Sequence, residues 1–158
     1  MESSIFSEIV STEWLNENLT DQSLKVVQVS FANDDSEFKK EHIQDSVWWY
    51  WKSVLWHETD RSFPSPEDLA RRLGTFGINS ETMVVLYGDP VQFGTYAYWV
   101  LRMCGHQKVC ILNGGLKKWK AEGRPLTDIQ SQIEEQNNSS FDELSFFSVG
   151  RENVLQNL

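Results

Sequence analysis

The chain is poor in cysteine. Its 158 residues contain two, Cys104 and Cys110, and neither sits in a CxxC or Cys/His ligand spacing. That excludes a zinc-ribbon or zinc-finger site, and no metal is expected. It also excludes a disulfide framework, which fits a reducing compartment and a cytoplasmic location. Basic charge is scarce too: 14 Lys and Arg stand against 23 Asp and Glu, a formal net charge of -9. Nucleic acid and anionic membrane surfaces demand a basic face, so neither is an expected partner. No apolar run approaches the roughly 20 residues that a spanning helix needs. Met1 to Glu8 has neither a basic n-region nor an apolar h-region, so no signal peptide is expected from it. Asn113-Gly114-Gly115 lacks the Lys-Ser/Thr of a phosphate loop and reads as a turn; no cofactor is expected. His42, His57 and His106 have no Ser–His–Asp or Cys–His spacing around them.

What is abundant is aromatic surface, with seven Trp and nine Phe. Aromatic packing should therefore dominate the core or an interface. The organising stretch is Met83 to Trp119. Met83-Val84-Val85-Leu86-Tyr87 is short, apolar and β-branched in its middle, as a strand buried on both faces must be. Gly88-Asp89-Pro90-Val91-Gln92-Phe93-Gly94 is a loop. Thr95 is a candidate cap for a helix carrying Tyr96, Trp99, Val100 and Met103 on one stripe. Gly105 stops it. Val109-Cys110-Ile111-Leu112 is the next buried strand, and Leu116 to Glu122 the next helix. This is a βαβ unit of an α/β fold. In parallel sheets, sites lie at the carboxyl ends of strands, which singles out the loop after Tyr87.

Earlier in the chain, Ser11 can cap a short helix through Leu19. Val26 to Phe31 is β-prone, with alternating burial possible. Glu37 to His42 reads as one charged helical turn. Ser46-Val47-Trp48-Trp49-Tyr50-Trp51 reads as an aromatic strand. If it is one, alternate members enter the core and the others cover a loop or face a partner domain, so Trp48, Trp49, Tyr50 and Trp51 are candidate interface residues. The neighbourhood of this run, through Trp56 and Phe63, reads as loop. Ser65-Pro66-Glu67-Asp68 is a helix start, with Leu69 and Leu73 on its buried face. After Leu126 the composition turns to Gln, Asn, Ser and acid, and no Lys or Arg occurs between Arg124 and Arg151. Residues 127–148 are therefore expected to be a linker. Val149 to Leu158 can be laid on Val10 to Leu19: Val, Glu, Asn and Leu coincide at four positions, and Val154 meets Leu15. That pattern predicts the start of a second copy of the domain over 149–158.

Several of these segments together resemble a known family. Glu37-Phe38, His42-Ile43, Val84-Val85-Leu86-Tyr87, Leu101-Arg102, Gly105-His106 and Leu112-Asn113-Gly114-Gly115-Leu116 through Trp119 resemble a rhodanese domain. Residues 1–126 are taken as that domain. The likeness is to the amino-terminal half of tandem thiosulfate or 3-mercaptopyruvate sulfurtransferases. It implies a three-layer α/β fold, a five-stranded, mainly parallel sheet between helices.

The same resemblance exposes a departure. An active rhodanese domain carries a cysteine after the central strand, and the thiolate accepts sulfur as a persulfide. Here Gly88 and Asp89 follow Tyr87, and no cysteine occurs from Gly88 to Gly94. Asp89 would repel an anionic donor, and Pro90 removes an amide from any anion-binding nest. Gln28 and Ser30 replace an Asp and an Arg that the family often has, and Gln44-Asp45-Ser46 replaces Pro-Gly-Ala. The resemblance thus implies no catalytic residue in this chain. It implies a monomer or weak oligomer, partnered by a second rhodanese domain of the same polypeptide across an active-site cleft. The alternative is a stand-alone, inactive binding or regulatory module. His42 and His106 fall where the family has structural histidines. Cys104, at a helix end, and Cys110, in a buried strand, read as packing residues.

Overall fold

The computed structural model describes residues 8–56, 63–136 and 138. Five strands form one sheet in the order β1-β5-β4-β2-β3, all pairs parallel. They are β1 (Ile9–Val10), β2 (Leu24–Ser30), β3 (Ser46–Tyr50), β4 (Met83–Asp89) and β5 (Val109–Leu112). The helices are α1 (Thr12–Asn18), α2 (Ser36–Lys40), α3 (Trp51–Leu55), α4 (Pro66–Gly74), α5 (Gln92–Met103) and α6 (Gly115–Ala121). This is the three-layer α/β architecture that the sequence implies.

The layers follow from strand alternation. Val84 and Leu86 point to one face, where Leu69 and Leu73 of α4 and Ala97, Val100 and Leu101 of α5 close over them. Val85 and Tyr87 point to the other, with Leu15 of α1 and Trp119 of α6. Central β4 is consequently buried on both sides, which is why its sequence has no polar face. The expected caps form. Ser11 Oγ accepts from Trp14 N at 2.9 Å, and Ser65 Oγ accepts from Asp68 N at 3.1 Å with Pro66 opening α4.

Four local expectations need correction. Helix α5 starts at Gln92, so Thr95 lies inside it and caps nothing. Its buried stripe is Gly94, Ala97, Tyr98, Val100 and Leu101, and Trp99 is 61% exposed. Apolar residues occupy nearly every face of this helix, so periodicity could not choose the buried one; the small Gly94 and Ala97 do, by letting the helix close on the sheet. Trp51 leaves β3 and opens α3, a helix where a loop was expected. From Val26 to Ser30, β2 is buried without alternation, because it runs between β4 and β3 with helices on both faces. The two-residue β1 was read only as the approach to α1.

Residues 127–136 cross the amino end of the sheet as a strap, to which Asn138 adds. Thr127 and His42 exchange two backbone hydrogen bonds of 2.8 Å. The buried His42 ring is held between carbonyls, with Nδ1 2.7 Å from Phe38 O and Nε2 2.9 Å from Ile129 O. Gln136 N donates to Gly74 O at 2.7 Å. Asn138 Nδ2 donates to Ala70 O and Ile78 O at 3.0 and 2.7 Å. A Cβ on Gly74 would lie 2.2 Å from Gln136 O, so glycine at this position is what admits the strap. This is the stretch whose composition predicts a linker. His57 and the 149–158 repeat lie outside the described residues.

Candidate functional site

Strand β4 delivers its last residues, Gly88 and Asp89, to the carboxyl edge of the sheet between β2 and β5. The chain then folds back over its own strand end. Phe93 N donates to Pro90 O at 3.0 Å and Gly94 N to Val91 O at 3.1 Å. The turn is so tight that the two glycines touch backbone to backbone. A Cβ on Gly88 would fall 2.2 Å from Gly94 N, 2.7 Å from Pro90 O and 2.9 Å from Val91 O. Any side chain at Gly88, a thiol included, therefore requires the loop to open.

The loop offers little to an anion. Pro90 has no amide proton, and the Phe93 and Gly94 amides are already spent on loop carbonyls. Asp89 and Val91 are exposed, and Gln92 with them. Both cysteines are elsewhere and buried. Cys104 caps the end of α5, its Sγ 3.6 Å from Pro64 O. Cys110 lies inside β5, where burial pushes its thiol up to about 12. Among the described residues, no group of His, Cys, Asp and Glu is arranged to hold a metal ion. His106 sits at the opposite, amino end of the sheet, against Thr82 O at 2.9 Å and Lys108 O at 3.1 Å. Burial draws its pKa down to about 4.

Two dissimilar surfaces flank the loop. On the β2 and β3 side is an aromatic cluster. Trp51 is its hub, with Phe93 and Trp56 at 5.4 Å, Tyr96 at 5.9 Å and Phe31 stacked at 6.2 Å. Phe31 is 55% exposed and Phe63, which meets Tyr96, 43%. Of the four aromatic candidates, Trp49 is fully buried against Phe76 and belongs to the core. Trp48, Tyr50 and Trp51 are half-buried. Phe93 belongs to the loop that the sequence singled out, whereas Phe31 was not a candidate; the two are far apart in the chain, and only the β2–β4 pairing brings them together.

On the β5 side is a cavity of about 550 Å³ lined in part by Tyr87, Pro90, Leu112 and Leu116. At its base runs a buried polar chain. The Tyr87 hydroxyl donates to Gln28 Oε1 at 3.0 Å, Gln28 Nε2 donates to Ser30 Oγ at 3.1 Å, and Trp48 Nε1 donates to the same hydroxyl at 2.9 Å. Burial, and then the nearby Asp89 carboxylate, raise the Tyr87 phenol well above its ordinary range, so it stays a neutral donor. Gln28 and Ser30, which the sequence marks as departures from the family pattern, thus join a neutral hydrogen-bonded network.

Comparison with known proteins accounts for this architecture. The sequence profile described as "Rhodanese-like domain" matches residues 11–122. "Sulfur carrier protein TtuD" from Thermus thermophilus is 38% identical over 120 residues, covering 75% of this chain and 41% of that protein. "Putative thiosulfate sulfurtransferase 1" from Mycobacterium bovis is 37% identical over 120 residues, covering 75% and 43%. This chain thus spans less than half the length of these relatives. Among solved structures, the 3-mercaptopyruvate sulfotransferase SseA from Escherichia coli superposes with a TM-score of 0.75 at 22% identity. That match covers 93% of this chain and 64% of the other. An all-parallel five-stranded sheet, a tight loop after its central strand and this profile match together place the chain in the rhodanese-like domain family, as a domain related to sulfurtransferases.

Proposed function

We propose that this chain is the non-catalytic rhodanese domain of a tandem sulfurtransferase of the thiosulfate or 3-mercaptopyruvate type. In this reading it forms one wall of an interdomain cleft, and a second rhodanese domain of the same polypeptide carries the nucleophile. The observation that carries it is Gly88. The residue after Tyr87 has no side chain, and the backbone of Pro90, Val91 and Gly94 fills the space where one would be. Persulfide chemistry needs a thiolate at that point, and two of the loop amides, Phe93 N and Gly94 N, are engaged by loop carbonyls rather than free for a bound sulfur oxyanion. The partner domain is supported by the exposed rings of Phe31 and Phe63 beside the loop, a contiguous apolar surface of the kind that marks an interaction site.

The test is sulfur transfer from thiosulfate to cyanide by the 158-residue chain. The expected result is none above the uncatalysed rate. Turnover of roughly 1 per second or more, or a persulfide mapped to Cys104 or Cys110, would sink the reading. The cavity beside the loop favours the second reading, an inactive stand-alone binding module. The coding sequence beyond Leu158 separates the two: a strand-Cys-x-x-Gly loop supports the first, and a stop codon the second.

A further inference from the structure

The cavity on the β5 side of the loop has a charge pattern that the sulfur-transfer reading does not use. Its walls are apolar, formed by Tyr87, Pro90, Leu112 and Leu116, and its volume of about 550 Å³ suits a small ligand. The polar groups at its base satisfy one another through the Tyr87–Gln28–Ser30 chain, so the floor asks for no charged partner. The rim does. Asp89 reaches it from the loop, and Lys117 and Lys120 from α6. Lys120 is already paired with Glu41 at 2.6 Å. The Asp89 carboxylate and the Lys117 ammonium, by contrast, make no ion pair or hydrogen bond among the described residues.

One uncompensated anion and one uncompensated cation therefore border a single apolar cleft, carried by different elements. A simple organic anion would meet Lys117 but also face Asp89. A simple amine would meet Asp89 but also face two lysines. A ligand bearing both charges on neighbouring atoms, with an apolar tail, is complementary to all three features. We propose that this cavity binds a free α-amino acid with an apolar side chain. Its carboxylate lies at Lys117, its ammonium at Asp89, and its side chain against Leu112 and Leu116. This assignment is independent of where the sulfur nucleophile resides.

The probe is L-leucine, titrated into the 158-residue chain and followed by amide chemical shifts. It is compared with 4-methylpentanoate, which lacks the ammonium, and 3-methylbutylamine, which lacks the carboxylate. Saturable shifts of Leu112 and Leu116 are expected with L-leucine at millimolar or lower Kd, and both analogues should bind about tenfold or more weaker. Lys117→Ala should weaken L-leucine about tenfold and leave the amine no weaker, whereas Asp89→Asn should weaken L-leucine similarly and leave the carboxylate analogue no weaker. The proposal is overturned if L-leucine gives no saturable shift at a few tens of millimolar. It is equally overturned if 4-methylpentanoate binds as tightly as L-leucine, or if the shifts map away from the cavity. Because the two variants remove surface charges without touching the core, their spectra also report directly that the fold is kept.

Discussion

The two ends of the sheet are built on opposite principles. At the amino end, the polar side chains His42, His106 and Asn138 are tied down: His42 between two carbonyls, His106 against Thr82 and Lys108, and Asn138 bridging α4 to the approach to β4. At the carboxyl end, charges stand without partners, rings are exposed, and a cavity opens between the loop and α6. Both ends are short of regular structure. What separates them is whether the backbone and side-chain polar groups are satisfied inside the fold, which makes an end structural, or left facing outward, which makes it a candidate for binding.

Truncation should sharpen the contrast most. Removing everything after Leu126 strips the six strap hydrogen bonds described above from the amino end, at roughly 1 kcal/mol each. The melting temperature should fall by on the order of 10 °C. Removing only the residues after Glu143 leaves those bonds intact and should cost no more than a few degrees. Equal losses in the two truncations, read by thermal unfolding, would show that the strap is no part of the amino-end structure.

His106 gives the next effect. Its folded pKa of about 4 lies below the ordinary histidine value of 6.5. The unfolded chain therefore binds the proton first as pH falls. The contribution of the neutral ring is present in full above about 6.5 and is lost progressively down to about 4, amounting to about 3 kcal/mol at most. His106→Asn should flatten the decline in unfolding free energy between pH 6.5 and 4.5. An unchanged slope would remove His106 from the amino-end seal.

At the carboxyl end, Gly88→Ala should destabilise by about 1–3 kcal/mol, because its Cβ meets loop backbone that must move. Gly88→Cys should behave likewise in denaturant titration and should still fail to transfer sulfur. Activity in that single variant would mean that the loop opens at little cost and is already preorganised. The smallest effect concerns the cysteines, neither of which belongs to the open end. Cys104 and Cys110 should react slowly with a polar thiol reagent in the native state and quickly in denaturant. Fast native labelling of either would bring a thiol into play that the fold hides.

The organisation of the chain was legible wherever composition and packing agree. The run Val84 to Leu86 and the run Val109 to Leu112 could only be strands buried on both faces, and the Ser65-Pro66 cap marked α4 outright. Helix α5 was legible as a helix but not in its facing, since nearly all its faces are apolar. Helix α3 was hidden because Trp51 to Leu55 has a β-prone, aromatic approach, and five residues carry too few turns to show a period.

What the sequence by itself determined is the α/β pattern, the position of the loop after Tyr87 and the lack of a cysteine in it. Those depend on residue type and order along the chain. Tertiary structure alone decided that Gly88 abuts Gly94, that Phe31 reaches Phe93, that Thr127, Ile129, Gln136 and Asn138 fasten the amino end, and that Asp89 and Lys117 share one cavity. Each of these joins segments that are not local in a pattern, and their distances are set by strand order and helix packing, which no single segment encodes.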